Sequence, residues 1–89
     1  MTNAVKTILY GDRFLRSFEW LSREIQIKAV EREKIFKNDI FDPRLDTHKL
    51  HGNLKRIWAF SVTNKYRIFF AFTKTGILFL DIDDHDFYQ

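Results

Sequence analysis

The 89-residue chain carries 15 basic and 12 acidic residues, a net charge of +3, and no cysteine. Its length allows one hydrophobic core, and the lack of cysteine excludes both a disulfide framework and a thiolate metal site. No run of about 18 apolar residues is present, so we predict no membrane-spanning segment. Because the first residues also lack the apolar stretch of a signal peptide, we expect a single cytoplasmic domain covering residues 1–89.

The first half of the chain predicts one strand followed by two helices. Residues 5–10 are apolar and β-branched and precede Gly11, which is typical of a short strand. Asp12 is the predicted cap of a first helix, and Ser22 of a second helix that ends at Asn38. The inner positions follow helical spacing and are Phe14, Leu15, Phe18, Leu21, Ile25, Ala29, Ile35 and Phe36. The charged residues between them, Lys28, Glu31, Arg32 and Lys34, are expected to face water.

The second half predicts an ordered loop and three strands. Residues 41–53 contain Pro43 and Gly52, which favour turns. Strands follow at 55–62, 66–73 and 77–83, and the breaks between them have the length of hairpin turns. The element order is then β-α-α-β-β-β. We predict an α+β fold in which a helical hairpin packs on one face of an antiparallel four-stranded sheet, with the other face partly open.

The charges are unevenly distributed along the chain. Between residues 44 and 67 the only acid is Asp46, and the basic residues are Arg44, Lys49, Lys55, Arg56, Lys65 and Arg67. The C-terminal segment is acidic, with Asp81, Asp83, Asp84 and Asp86. This pattern predicts that the middle of the chain binds a polyanion, and an unevenly charged, solvated surface is the alternative interpretation.

Three segments, at residues 42–54 (DPRLDTHKLHGNL), 58–70 (WAFSV and YRIFF) and 80–86 (LDIDDHD), together resemble motifs of the RelE/ParE superfamily of bacterial toxins. Residues 42–54, DPRLDTHKLHGNL, are similar to the family loop D-P-R-L-x-T-H-K-L-x-G-x-L. Residues 58–62 and 66–70, WAFSV and YRIFF, are similar to its central strands. Residues 80–86, LDIDDHD, resemble its closing D-I-G-x-H-[DE] element, with Asp83 in place of the usual glycine. The segments occur in the family's order and spacing, whereas the helices match in pattern only.

The resemblance implies the toxin of a type II toxin–antitoxin system. RelE-, YoeB- and YafQ-like members cleave mRNA in the ribosomal A site, whereas ParE-like members inhibit DNA gyrase and lack the catalytic residues. We interpret the chain as a ribosome-dependent endoribonuclease that uses no metal or cofactor and forms a complex with a cognate antitoxin. The alternatives are a non-enzymatic inhibitor of DNA gyrase and an inactive binding module.

The same resemblance implies three catalytic residues. Cleavage needs a base for the 2′-OH, an acid for the leaving oxygen and a cation for the phosphorane. YoeB- and YafQ-like toxins use a C-terminal histidine at the position of His85, and the YafQ-like H-x-L-x-G loop places a second histidine at His48. Arg67 is the expected phosphate-stabilising arginine. We expect His48 and His85 to form an acid–base pair beside Arg67.

Each of these residues also has a structural interpretation. His85 is then a surface histidine bonded to a neighbouring aspartate, and His48 packs on the backbone of its loop. Arg67 is then paired with Asp81 or Asp83 across the sheet. Two departures from the family patterns bear on this choice: Ser61 and Lys65 stand where YafQ-like toxins have a histidine and an aspartate. For the acidic base of YoeB-like toxins, only Asp46 offers an approximate equivalent.

Further side chains are candidates for binding RNA. Lys55 and Arg56 are expected to hold its backbone electrostatically, with Lys49 as a weaker candidate, and Tyr88 to orient a phosphate or stack on a base. Trp58 and Phe60 alternate on a strand, which favours core positions over a base-stacking platform. A metal site assembled from His48, His51, His85 and Asp86 is disfavoured, since H-x-x-H in a loop lacks the fixed face of a helix.

Overall fold

The computed structural model describes residues 4–5, 7–52 and 56–84. Within them the chain forms β1 (Ile8–Tyr10), α1 (Asp12–Trp20), α2 (Arg23–Asn38), a 3₁₀ turn (Pro43–Leu45), β2 (His48–Lys49), β3 (Trp58–Ser61), β4 (Tyr66–Phe72) and β5 (Ile77–Asp84). The predicted α+β class and both predicted helices are confirmed. No helix within these residues is long and apolar enough to cross a membrane.

The sheet differs from the prediction in strand number and direction. Among the described residues it has five strands in the order β1-β5-β4-β3-β2, and β1 runs parallel to β5. The prediction of four antiparallel strands was therefore wrong. The parallel pairing joins the first strand to the last, so no local turn encodes it. The additional strand β2 has only two residues, which pair with Ala59 and Trp58, and two residues are too few to show an alternating pattern.

Of the two N-terminal caps predicted for the helices, one is confirmed. Ser22 caps α2 as predicted, because its Oγ accepts a hydrogen bond from the amide of Ile25 at 3.3 Å. Asp12 does not cap α1; the cap position is Gly11, whose backbone is extended, and Asp12 is the first helical residue. The amide of Gly11 donates to the carbonyl of Phe79 at 2.9 Å, so the backbone is still hydrogen-bonded to β5 at Gly11. The helix then begins at the next residue, Asp12.

Phenylalanine rings fill the space between α2 and the sheet. Phe36 is fully buried; its ring stacks on Phe60 at a centroid distance of 4.5 Å and contacts Phe70 edge-on at 5.0 Å. Such aromatic pairs add to the stabilisation that burial alone provides. The core interpretation of Phe60 is thus confirmed. Leu15, in contrast, was wrongly predicted to face inward, since it is 51% exposed on α1.

The N-terminal elements are attached to β5 in two ways. At the start of β5, a Cβ on Gly76 would lie 2.3 Å from the carbonyl oxygen of Thr7, so only glycine allows this close approach. Further along, Asp81 is fully buried. Its carboxylate accepts hydrogen bonds from Arg13 Nε at 3.0 Å and Ser17 Oγ at 2.6 Å, both on α1. These contacts fix α1 against the second half of β5.

The face of the sheet opposite α2 carries the polar groups relevant to function. Ala59 pairs with Phe69, and Ser61 with Arg67, across β3 and β4. Side chains alternate along a strand, so all four lie on the face opposite that of Phe60. Ala59 and Phe69 are buried, whereas Ser61 and Arg67 are only half-buried. This face is therefore accessible mainly toward the turn between β3 and β4.

Candidate functional site

A concave surface of about 470 Å³ lies at the end of the sheet where α2, the 3₁₀ turn and the β3–β4 turn meet, so that side chains of α2 and side chains from the opposite sheet face both line it. Its lining residues are Lys28, Arg32, Arg44, Asp46, Ser61, Val62, Thr63, Asn64 and Arg67. We call this surface the basic cleft, because four of these side chains are cationic and one is acidic. Its volume is within the roughly 300–1,000 Å³ typical of ligand sites. The charge balance predicts that it binds an anion.

Arg67 lies at the sheet side of the basic cleft. Its Nη1 donates a hydrogen bond to Ser61 Oγ at 3.2 Å and lies 3.7 Å from Asp46 Oδ2. Of the two aspartates predicted as alternative partners of Arg67, Asp81 is bonded to α1, whereas Asp83 lies directly opposite Arg67 in the pairing of β4 with β5. The side chain of Arg67 is 22% exposed, so the guanidinium is held in place and still reaches the solvent in the cleft.

Asp46 connects the two predicted catalytic residues that the structure describes. It follows the 3₁₀ turn in a left-handed conformation, with φ 51° and ψ 44°, which aspartate tolerates better than most residues. This conformation directs its carboxylate toward Arg67, while its carbonyl oxygen lies 2.8 Å from His48 Nδ1. The equivalence of Asp46 to an active-site acid stays a prediction.

The contact with Asp46 determines the tautomer of His48. A carbonyl oxygen only accepts hydrogen bonds, so Nδ1 of His48 must carry the proton. In the neutral imidazole, Nε2 is then unprotonated and able to accept a proton. His48 pairs with Ala59, which places it on the same sheet face as Arg67. From strand spacing and rise, the two Cα atoms are roughly 12 Å apart.

The opposite wall of the cleft is organised around the 3₁₀ turn. Asp42 accepts two hydrogen bonds from the Arg44 side chain, at 3.0 and 2.8 Å, and one from its amide at 2.9 Å. The hydrogen bonds from Arg44 lower the pKa of the Asp42 carboxyl to about 2. Arg32 on α2 donates to the carbonyl of Arg44 at 3.1 Å, so the helix and the turn are directly joined.

Known structures share this architecture. No protein-family model and no curated protein sequence matches the chain. Among solved structures, the RelBE2 toxin–antitoxin complex from Mycobacterium tuberculosis matches with a TM-score of 0.76 and 16% identity, covering 92% of this chain and 93% of that one. The DinJ–YafQ complex from E. coli matches with a TM-score of 0.73 and 14% identity, covering 91% and 93%. The YoeB–YefM complex from Staphylococcus aureus matches with a TM-score of 0.72 and 15% identity, covering 92% and 99%.

The chain has the fold of the RelE/YoeB/YafQ toxins. The predicted resemblance to the RelE/ParE superfamily is confirmed at the level of the fold. The structural neighbours include toxins in complex with their antitoxins. The positions of the predicted site residues are therefore described within this RelE-type fold.

Within this RelE-type fold, the structure brings together part of the predicted catalytic set. His48 and Arg67 lie on one sheet face and are bridged by Asp46. His85 lies outside the described residues, as do Lys55 and Tyr88, so the predicted pairing of His48 with His85 stays a prediction. In the described part of the chain, no group of three histidine, cysteine, aspartate or glutamate side chains is placed to hold a metal ion.

The described candidates for binding RNA lie apart from the basic cleft. Lys49 is exposed on β2, and because side chains alternate it points away from the face of His48. Arg56 is exposed ahead of β3. Neither residue lines the cleft, so their predicted contacts with RNA remain predictions for a different part of the surface.

Two cations of the cleft were not recognised from the sequence as site residues. Lys28 and Arg32 were predicted only to face water, yet both line the cleft together with Arg67. Their separation of four residues places them on the same side of α2, which was the available signal. Which side of α2 faces the 3₁₀ turn depends on tertiary packing, and no local pattern gives it.

Proposed function

We propose that this chain is the toxin of a toxin–antitoxin pair and cleaves mRNA on the ribosome. The observation that carries the proposal is the contact of Arg67 with Asp46 in a basic cleft, together with the bond of His48 to the backbone of Asp46, in a chain with the RelE-type fold. Cleavage of a phosphodiester needs a cation such as the planar guanidinium group, which binds two phosphate oxygens, a nearby proton acceptor, and access from solvent. The described residues provide all three.

The proposed reaction is an attack by the ribose 2′-oxygen on the adjacent phosphorus. His48 Nε2 takes the 2′-OH proton, the new O–P bond forms, and the bond from phosphorus to the 5′-oxygen breaks. His85 donates a proton to the leaving 5′-oxygen, in keeping with its predicted role. The products are a 2′,3′-cyclic phosphate and a free 5′-OH, and no metal ion takes part. Arg67 stabilises the charge that develops on the non-bridging oxygens.

Asp46 has a supporting role in this scheme. Its carbonyl fixes His48 in the tautomer that accepts a proton at Nε2, and its carboxylate lies 3.7 Å from Arg67 when no substrate is bound. That separation is longer than a hydrogen bond, and Asp46 is 72% exposed, so the pair is weak. A phosphate group is therefore able to replace the carboxylate as the partner of Arg67.

The proposed partners are the ribosome, which presents the mRNA, and a cognate antitoxin. The helices expose large apolar side chains, with Leu15 and Ile27 about half exposed and Trp20 88% exposed. Exposed apolar surface of this kind is characteristic of interaction sites. We propose that the antitoxin covers this helical surface and forms a hetero-oligomer with the toxin.

The test is induced expression followed by mapping of new 5′ RNA ends. The wild-type chain should produce ends inside translated codons. Arg67→Ala should reduce cleavage by about 10²–10³, the usual effect of removing one group that stabilises the transition state. The control is Arg23→Ala, which removes an exposed arginine outside the basic cleft. Equal cleavage by the wild type and Arg67→Ala would contradict the proposal.

Gyrase inhibition is the alternative that the incomplete catalytic set favours, since Ser61 and Lys65 replace residues used by YafQ-like toxins. A supercoiling assay with purified gyrase separates the two functions. The proposed ribonuclease should leave supercoiling unchanged at concentrations that cleave mRNA during translation. Inhibition of supercoiling without new RNA ends would assign the chain to the alternative function.

A further inference from the structure

The basic cleft contains more positive charge than one phosphate requires. Arg67 is on β4, whereas Lys28 and Arg32 are on α2, and all three line the cleft. Lys28 and Arg32 are one helical turn apart, so their side chains project in the same direction. The cleft thus presents cations from two separate elements, an arrangement suited to a ligand with several anionic groups.

The partners of these side chains leave their charges available. Arg32 donates to the carbonyl of Arg44, a neutral group that orients the guanidinium without cancelling its charge. Lys28 lies 3.9 Å from Glu31, a separation at which a solvated pair on a helix contributes little. Arg44 differs, because Asp42 engages it through two hydrogen bonds and neutralises it. Lys28 and Arg32 therefore supply the charge of the helical wall.

We propose that Lys28 and Arg32 form a second phosphate subsite, which binds the RNA backbone at a phosphate neighbouring the one held by Arg67. This inference rests on the proposed function and extends it from a single phosphodiester to a run of single-stranded RNA. Ser61, Thr63 and Asn64 also line the cleft, and their polar side chains are able to bond to a ribose or a phosphate. The helical wall positions the strand and takes no part in the proton transfers.

The experiment measures the salt dependence of RNA binding. A fluorescent single-stranded oligonucleotide with 2′-O-methyl riboses serves as the probe, because it lacks the attacking hydroxyl and is not cleaved. Each cationic contact to a single strand contributes about 0.7 to the slope of log K against log salt. The slope should therefore fall by about 1.4 in the variant Lys28→Gln/Arg32→Gln and by about 0.7 in Lys28→Gln alone.

The same helix offers a matched control. Lys34 and Lys37 are exposed on α2, do not line the cleft, and lie six and nine positions after Lys28, on other sides of the helix. The variant Lys34→Gln/Lys37→Gln removes the same net charge and should leave the slope close to that of the wild type. Equal slopes for the two double variants would overturn the subsite, because net charge alone would then explain the binding.

Two further outcomes are informative. Poly-glutamate is used as a second probe, since an acidic peptide is the other polyanion that this cleft would attract. If Lys28→Gln/Arg32→Gln weakens poly-glutamate binding and leaves RNA binding unchanged, the subsite for RNA is overturned. If the slope falls as expected but the wild-type chain produces no new RNA ends during translation, the proposed nuclease function fails and the subsite stands.

Discussion

Replacement of His48 tests the proposed mechanism most directly, because two substitutions separate its structural role from its chemical one. His48→Asn keeps a side-chain N–H near the position of Nδ1, and therefore keeps the hydrogen bond to the carbonyl of Asp46. His48→Ala loses this bond. Both variants lose the nitrogen that accepts a proton in the proposed scheme.

The expected magnitudes follow from the environment of His48. Its hydrogen bond of 2.8 Å lies in a partly exposed position, and the net contribution of such a bond is about 0.5–1.5 kcal/mol. We expect His48→Ala to lower the free energy of unfolding by about 1 kcal/mol and His48→Asn by less than about 0.5 kcal/mol. Loss of a general base should reduce cleavage by about 10²–10⁴ in both variants.

Stability is measured by urea unfolding, and cleavage by the yield of new 5′ RNA ends in a reconstituted translation reaction. Exogenous imidazole should restore part of the cleavage by His48→Ala, where the cavity left by the ring admits a substitute base, and little of that by His48→Asn. A merely structural histidine would not show this rescue. Wild-type cleavage by a stable His48→Asn variant would refute the assignment of His48 as the base.

Two further predictions concern the interactions that hold the site in place. Asp81→Asn should lower the free energy of unfolding by about 2–3 kcal/mol, because a buried carboxylate loses charge-assisted hydrogen bonds to Arg13 and Ser17. Urea unfolding measures the change. A loss smaller than that of the exposed control Asp12→Asn would contradict the prediction. Arg44 lowers the pKa of Asp42 from its ordinary value of 3.8 to about 2. The pairing of the two side chains therefore stabilises the fold fully at a pH above 3.8, and this stabilisation is lost as the pH falls toward 2. The difference in melting temperature between the wild type and Asp42→Asn should therefore close between about pH 4 and pH 2, and a difference that stays constant over this range would refute the pairing.

The residues that could be predicted from the sequence are those whose structure depends on near neighbours. The helical spacing around Phe14 and Phe36 and the cap at Ser22 are local signals, and the structure confirms them. The three strands of the second half are joined by short turns, so their antiparallel pairing also follows from local sequence. The family motifs in the loop and strands indicated the RelE-type fold for the same reason, since they preserve order and spacing along the chain.

Tertiary structure decided the rest. The parallel pairing of β1 with β5 depends on a contact between the two ends of the chain, and its stability comes from burial that no short segment shows. The basic cleft arises in the same way, because Lys28 and Arg67 belong to different elements and meet only when α2 packs beside the 3₁₀ turn. The tautomer of His48 is likewise set by the left-handed backbone at Asp46, a conformation that became visible only in the folded chain. The sequence by itself therefore determined most of the elements and indicated several candidate site residues, whereas packing determined which of those residues face one another.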